Sequence, residues 1–395
     1  MLVLSIGLAV AAVAALGSGS FSTGQAPNAA DPALGTRVNI EDSTYAPVIA
    51  QSMAEAQVDG VGIYLAWSDI EPNPPAIDGT HTYRWEGSPF EKTVDALTAA
   101  GVNILTVRLT LAPHWAVKGK VCKTTACPPI PAHYDEFRQF VQTAIGRYGP
   151  GGTMGGDIQH WSLWNEPNKG FEWGGKEAGD GSFKEYSDLL AQFHAAAANA
   201  SDQVAVDAGE IAAGGANGQN APRAWAVKFH RYNKGKGRDH DFDFVTIHAY
   251  SQRPGDVAAK LRSYQRVFAG HPVAVTEFGW SVGDSKQRAS WKCVPNEEAQ
   301  AAKLRQAVQQ VRTSSQLKQV PWLIWFAGID DDLADDPHPK PPKCRATTWY
   351  QHKVRTYIDT FGLYMRGKNG SASELHPRKV VDDFSAATQQ SAGVG

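Results

Sequence analysis

Eight short apolar runs, each followed by a helix-like stretch, constrain this 395-residue chain more than any other feature. The runs are Arg37–Glu41, Gly60–Trp67, Asn103–Leu109, His160–Trp164, Gln203–Glu210, Phe242–His248, Pro272–Thr276 and Val320–Trp325. Most are continuously apolar rather than alternating, as parallel strands are when helices cover one face and a packed core the other. Between them lie helix-like segments at Tyr45–Gln57, Pro89–Ala100, Tyr134–Tyr148, Phe183–Ala200, Ala221–Lys234, Asp256–Phe268 and Asn296–Ser314. Asp256 and Asn296 stand where caps belong, and Glu297 and Glu298 follow Asn296 in the first turn, at the positive end of the helix dipole. Such alternation either closes into a barrel or opens as a doubly wound sheet. A Gly-rich phosphate turn after the first strand would favour the open sheet, and that turn is missing. The expectation is therefore an α/β chain with a (β/α)8 TIM barrel as one domain over residues 33–382, a fold that takes roughly 250 residues before insertions.

The ends and the cysteines speak to the compartment. Met1–Leu16 is almost wholly apolar, shorter than the roughly 20 residues of a spanning helix, and is followed by the small, polar run GSGSFSTGQ. Residues 1–20 read as a signal peptide and 21–32 as a flexible linker, which makes the chain secreted or extracytoplasmic. No Lys or Arg precedes the apolar stretch, so an uncleaved anchor is the alternative; after cleavage no stable membrane insertion is expected. The small, polar residues 383–395 read as a disordered tail. Four cysteines in an exported chain point to two disulfides with three possible pairings, and Cys122–Cys127 with Cys293–Cys344 is the pairing favoured here. A zinc site lacks both the C-x2-C spacing and a placed His.

The formal net charge is −2 and the basic residues are scattered, which argues against nucleic acid as a partner. The acidic run Asp330–Asp336 lacks the Gly and terminal Glu of a calcium loop and reads as a solvated loop. No metal or organic cofactor is expected, and the chain is expected to be a monomer.

The chemistry concentrates at two strand ends. The fourth run closes on HWSLWNEPN, placing Asn165 and Glu166 just past its apolar part. The seventh closes on VAVTEFGW, with Glu277 in the same relation to its strand. On a barrel both carboxyls then stand at the C-terminal mouth, where enzymes of this fold assemble their sites. A pair of carboxyls facing each other across a sugar is what glycoside hydrolysis requires, one protonated and one ionised, about 5–5.5 Å apart when configuration is retained. Mutual repulsion raises the pKa of one of them and separates the two roles.

The motifs W-N-E-P at Trp164–Pro167 and T-E-F-G-W at Thr276–Trp280 resemble clan A of the glycoside hydrolases, most like families 5 and 39. The resemblance implies a retaining (β/α)8 enzyme with Glu166 as acid/base, Glu277 as nucleophile and Asn165 on the sugar 2-hydroxyl. It also implies that Tyr250 hydrogen-bonds the nucleophile, that His248 lines the same subsite, and that Trp325 forms the platform under the sugar. Leu111–Ala116 (LAPHWA) and Thr360–Leu363 (TFGL) resemble further segments of the clan, so the similarity spans roughly Gly60 to Arg378. Trp115 and Trp280 are candidate substrate contacts, and Trp173, Trp291 and Trp349 candidate outer subsites.

One departure stands out. Many clan members carry an Arg on the second strand that orients the nucleophile; here that strand reads VGIYLAW, and Arg108 on the third is the candidate to supply the charge or to bind sugar. The implied substrate is a poly- or oligosaccharide with a β-linkage or an α-L-arabinofuranoside. The rival reading is a non-catalytic barrel that binds extracellular or wall polysaccharide. A metal-dependent hydrolase would need His-x-His after the first strand, and Arg37–Glu41 has no His.

Overall fold

The continuous apolar runs become parallel strands wrapped by helices in a computed structural model of the chain. The structure describes residues 31–38, 45–119, 122, 126–175, 182–214, 221–282, 293–328, 363–366 and 375–392. In chain order these form β1 (Ala33–Arg37), α1 (Ala46–Glu55), β2 (Gly60–Ala66), α2 (Trp67–Ile70), α3 (Pro89–Ala99), β3 (Ile104–Thr110), α4 (Tyr134–Tyr148), β4 (His160–Leu163) and α5 (Phe183–Ala200). There follow β5 (Ala205–Asp207), β6 (Ile211–Ala212), α6 (Ala221–Gly235), β7 (Val245–His248), α7 (Gly255–Val267), β8 (Val273–Phe278), β9 (Ser281–Val282), β10 (Cys293–Val294), α8 (Glu297–Arg312) and β11 (Trp322–Trp325). Last come the small antiparallel pair β12 (Tyr364–Arg366) and β13 (Leu375–Pro377), and α9 (Val380–Ala392).

The main sheet runs β5-β4-β3-β2-β1-β11-β8-β7-β6. Its two ends, β5 and β6, are pieces of one fifth strand interrupted at residues 208–210. A parallel bridge from Asp207 to Phe244, with Ala208 N–H donating to Phe244 O at 3.1 Å, closes the circle. The eight expected strands are thus the eight staves of a (β/α)8 barrel.

Inside the barrel, residues at the strand starts form the floor: Ala33, Leu105, Ala205, Phe244, Ala274, Trp322 and Ile324 pack together. His160 joins them, its ring centroid 4.8 Å from that of Trp322. Above the floor the interior turns polar, with Thr106, Ser162, Asp207, Thr246 and Thr276 all buried. Still higher, Arg37 on β1 and Arg108 on β3 fill the barrel beneath its mouth. Gly62 is required here: a Cβ at that position would come within 3.0 Å of Arg37 Nη1. The helices seal the outside of the staves with a large apolar layer that includes Trp67, Phe137, Phe193, Phe229 and Leu304.

Local signals set several helix starts. Ser88 Oγ accepts from Glu91 N at 3.1 Å, and the Glu91 carboxylate accepts in return from Gly87 N at 2.7 Å, a reciprocal cap on α3. Ser88→Ala is expected to cost about 1 kcal/mol in chemical denaturation; a change within error would show that Glu91 alone holds the turn.

Two expectations are corrected. The first strand lies at Ala33–Arg37 rather than Arg37–Glu41, because Ala33 and Gly35 at its start have too little bulk to read as a strand. This register puts Arg37 inside the barrel. Residues 380–392 form a helix where a tail disordered from 383 was expected. Val380, Val381, Phe384 and Ala387 are buried in the core, and Arg312 Nη2 donates to Ala387 O at 2.8 Å, so one apolar face docks the segment. The domain therefore continues past Asp382.

The expected Cys122–Cys127 disulfide is formed, with Cα atoms 6.0 Å apart. Cys344, and with it the Cys293–Cys344 pairing, lies outside the described residues, as do Met1–Leu16, Trp291, Trp349, the run Asp330–Asp336 and residues 360–362. Among the described residues no helix is long and apolar enough to cross a membrane.

Candidate active site

The mouth of the barrel brings Glu166, Glu277 and His248 together. Glu166 follows β4, with its N–H donating to Glu210 O at 3.0 Å. Trp164, Glu166 and Glu210 all hold left-handed backbone, φ 71°, 39° and 42°, which costs a residue with a Cβ roughly 1–2 kcal/mol. Such strain is sustained where surrounding bonds over-determine it, as it often is at functional sites. Here Trp164 Nε1 donates to Glu172 O at 2.6 Å and Glu210 N to Thr246 Oγ1 at 3.0 Å.

His248 ends β7 and is almost fully buried. Its Nδ1 lies 2.8 Å from Glu166 Oε1 and 3.2 Å from Glu277 Oε2. Those two carboxylate oxygens are therefore no farther apart than the sum of the two distances. The separation of inverting enzymes, about 6.5–9.5 Å, is longer than that sum, and the retaining spacing of about 5–5.5 Å fits within it.

Glu277, on β8, is further fixed by Tyr250, just past β7, and by Arg108 on β3. Tyr250 donates its hydroxyl to Glu277 Oε2 at 3.1 Å, and Arg108 Nη2 lies 3.1 Å from Oε1. Arg108 also donates to Asn165 Oδ1, so the third strand links nucleophile candidate and the Asn beside Glu166. The cation absent from the second strand thus comes from the third. Its plane rests 4.1 Å above the Tyr64 ring, at a residue where the second strand offers an aromatic face instead of a charge.

Two carboxyls in this site carry no sequence motif. Glu210, in the break between β5 and β6, is wholly buried and pairs with Arg37 at 2.7 Å and with Arg108 at 2.8 Å. Burial works against its charge, but Arg108, Arg37 and His248 hold it down to about 2. Glu172, in the short 3-10 turn Gly170–Trp173, is pushed up to about 7 by burial and by repulsion from Glu166, with a hydrogen bond to Asn165 opposing. The only sequence signal for Glu210 is a carboxylate at the end of the fifth run, the position Glu166 and Glu277 hold on theirs.

Several expected contacts lie elsewhere. Trp325 faces away from the mouth, fully buried against Phe278 and Trp280 with ring centroids 5.4 and 6.1 Å away. The neighbouring Phe326, partly exposed, has its ring 6.2 Å from that of Tyr250, so Phe326 rather than Trp325 lies beside the carboxylate cluster. A one-residue shift on a strand exchanges the two faces. Trp280 is fully buried, donating to Ser251 O at 2.7 Å. Trp115 packs on Trp67 and donates to Glu71 O at 3.0 Å. Trp173 packs on Trp164 and Tyr186. These three are packing residues rather than a sugar-facing surface.

Glu210, His248 and Glu277 each bring a potential ligand atom within 4.8 Å of the others. Arg37 and Arg108 already neutralise these carboxylates, so a divalent ion would meet two guanidinium charges.

Residues 158–336 match the family model described as glycosyl hydrolase catalytic core. Similar solved structures include a family 39 glycoside hydrolase from Bacteroides cellulosilyticus WH2, at 16% identity and TM-score 0.60, covering 92% of this chain and 65% of that one. This chain therefore spans just under two thirds of that enzyme. A rice β-glucosidase mutant in a covalent complex with glucose is similar at 15% identity and TM-score 0.59, covering 88% of each chain. A GH5_18 protein from Streptomyces cattleya in complex with GlcNAc is similar at 12% identity and TM-score 0.58, covering 92% and 81%. The comparison with curated proteins finds no match.

Proposed function

We propose that this protein is an exported retaining glycoside hydrolase that cleaves O-glycosidic bonds of a poly- or oligosaccharide by double displacement. The observation that carries the reading is the shared approach of Glu166 and Glu277 to one His248 nitrogen, at 2.8 and 3.2 Å, which is compatible with retaining spacing. Glu277 attacks the anomeric carbon while Glu166 protonates the leaving oxygen, giving a glycosyl-enzyme ester. Glu166 then takes a proton from water, which attacks the same carbon, and configuration is retained.

The neighbours divide the work. Arg108 and Tyr250 orient the Glu277 carboxylate, each donating a hydrogen bond to one of its oxygens. Asn165, aligned by Arg108 and by Glu172, is the residue for the sugar 2-hydroxyl. Phe326 offers the ring on which the sugar stacks. The Cys122–Cys127 disulfide accords with export. Similarity to enzymes of families 39 and 5 and to a rice β-glucosidase favours a β-linked substrate.

Glu166→Ala tests the division of roles. Its kcat/KM is expected to fall about 10²–10⁴-fold on substrates with poor leaving groups and far less on activated aryl glycosides, which need no proton. Equal losses on both would remove Glu166 from the acid role. A purely polysaccharide-binding barrel predicts no turnover of either substrate by the wild-type protein.

A further inference from the structure

Double displacement as proposed above uses Glu166 and Glu277 and gives no task to Glu210, although Glu210 is ion-paired with Arg37, Arg108 and His248. We propose that Glu210 is a positioning residue that fixes the tautomer of His248, so that Nδ1 of this ring becomes a proton site shared with Glu166. The inference rests on the hydrolase reading only for its kinetic consequence.

The two ring nitrogens face opposite tasks. Nε2 lies 3.2 Å from Glu210 Oε2, while Nδ1 lies 2.8 Å from Glu166 Oε1 and 3.2 Å from Glu277 Oε2. Glu210 is wholly buried between two guanidinium groups, Arg37 at 2.7 Å and Arg108 at 2.8 Å, and an ionised carboxylate only accepts hydrogen bonds. At Nε2 this acceptor-only partner holds a hydrogen; at Nδ1 the Glu277 carboxylate is already served by Tyr250 and Arg108, and Glu166 can bring the proton itself. The variable proton is then confined to the Nδ1 side.

Two arrangements follow, with the same number of protons. In one, a neutral ring with bare Nδ1 accepts from protonated Glu166, the form that donates to a leaving oxygen. In the other, the proton sits on Nδ1 and the imidazolium donates to the Glu166 and Glu277 carboxylates. Moving between them transfers one proton across the 2.8 Å contact and needs no other reactant. If Nε2 were bare instead, Nδ1 would always carry hydrogen and the ring could never accept from Glu166.

Three carboxylates facing His248 favour a retained proton: Glu166 after β4, Glu210 between β5 and β6, and Glu277 on β8; the Tyr250 ring, on the segment after β7, lies 6.4 Å from the imidazole between centroids. Arg108 and Arg37 reach it only through Glu210 and Glu277, Tyr64 lies beneath Arg108, and Glu172 stands beyond Glu166. Burial opposes the charge, yet the three carboxylates raise His248 to about 9. The proton that His248 holds therefore leaves only at alkaline pH.

The test is made on the full chain carrying 15N-labelled histidine, with the His248 resonances assigned by difference against His248→Gln. Above the alkaline transition the ring is expected to show hydrogen on Nε2; a ring with hydrogen on Nδ1 there overturns the proposal. This measurement needs no turnover, so it stands apart from the assignments of Glu166 and Glu277. In Glu210→Gln the alkaline limb of the kcat–pH profile is expected to fall by about one pH unit or more, since the charge that favours the shared proton is gone. Glu210→Asp keeps the charge and is expected to keep the limb at a lower rate. A uniform loss of rate with the limb unmoved in Glu210→Gln would make the residue merely structural. Should that variant fail to fold, the wild-type tautomer decides.

Discussion

Glu277→Ala is expected to lose turnover on the order of 10⁴- to 10⁶-fold, the scale on which removal of a covalent nucleophile acts. Added azide is expected to restore part of the rate on activated aryl glycosides and to yield the glycosyl azide of inverted configuration. Azide occupies the space the carboxylate vacates and attacks the same face of the sugar, and no enzyme ester is then left for water to open. The surroundings sharpen the expectation: Tyr250 and Arg108 remain in place to orient an anion at that position. Near-normal turnover in the variant, or product of retained configuration with azide, would remove Glu277 from the nucleophile role.

Arg37→Leu has the largest expected effect on stability, a loss of about 3–5 kcal/mol, because it strips a partner from a buried ion pair. Arg37 and Glu210 are both wholly buried and meet at 2.7 Å. The loss has a defined pH dependence. Glu210 is held at about 2 in the folded protein against an ordinary 4.5, so its contribution is fully present above about 4.5 and disappears as pH falls towards 2. The gap between wild-type and variant denaturation midpoints is therefore expected to narrow on acidification through that window. A gap below about 1 kcal/mol at neutral pH would mean that Arg108 alone carries the Glu210 charge.

Much of the barrel was legible because parallel strands buried on both faces are largely apolar, and that pattern survives without knowledge of their partners. The helices were equally legible: α4 and α5 lie at Tyr134–Tyr148 and Phe183–Ala200, as their patterning predicts. What escaped was small or polar. Ala33 and Gly35 start β1 with little bulk, because the interior leaves room there for Leu105, whose Cδ1 lies 2.6 Å from a Cβ placed on Gly35. Helix α9 looked like a tail because its anchoring depends on the distant α8.

The site divides in the same way. Glu166 and Glu277 could be named from their own sequence neighbours, since a carboxylate just past an apolar run on a barrel has one place to go. Which aromatic lies beneath the sugar could not, because Trp325 and Phe326 are adjacent and the register of β11 alone decides which faces inward. The cation beside Glu277 could be named only as a candidate: Arg108 on the third strand does reach the carboxylate, with its Cζ 4.1 Å from the centre of the Tyr64 ring on the second. Glu210 shows the limit most clearly. As a residue in a sequence it is one carboxylate among many; its charge and its partners come from a barrel that closes Arg37, Arg108 and His248 around it, where water cannot screen them.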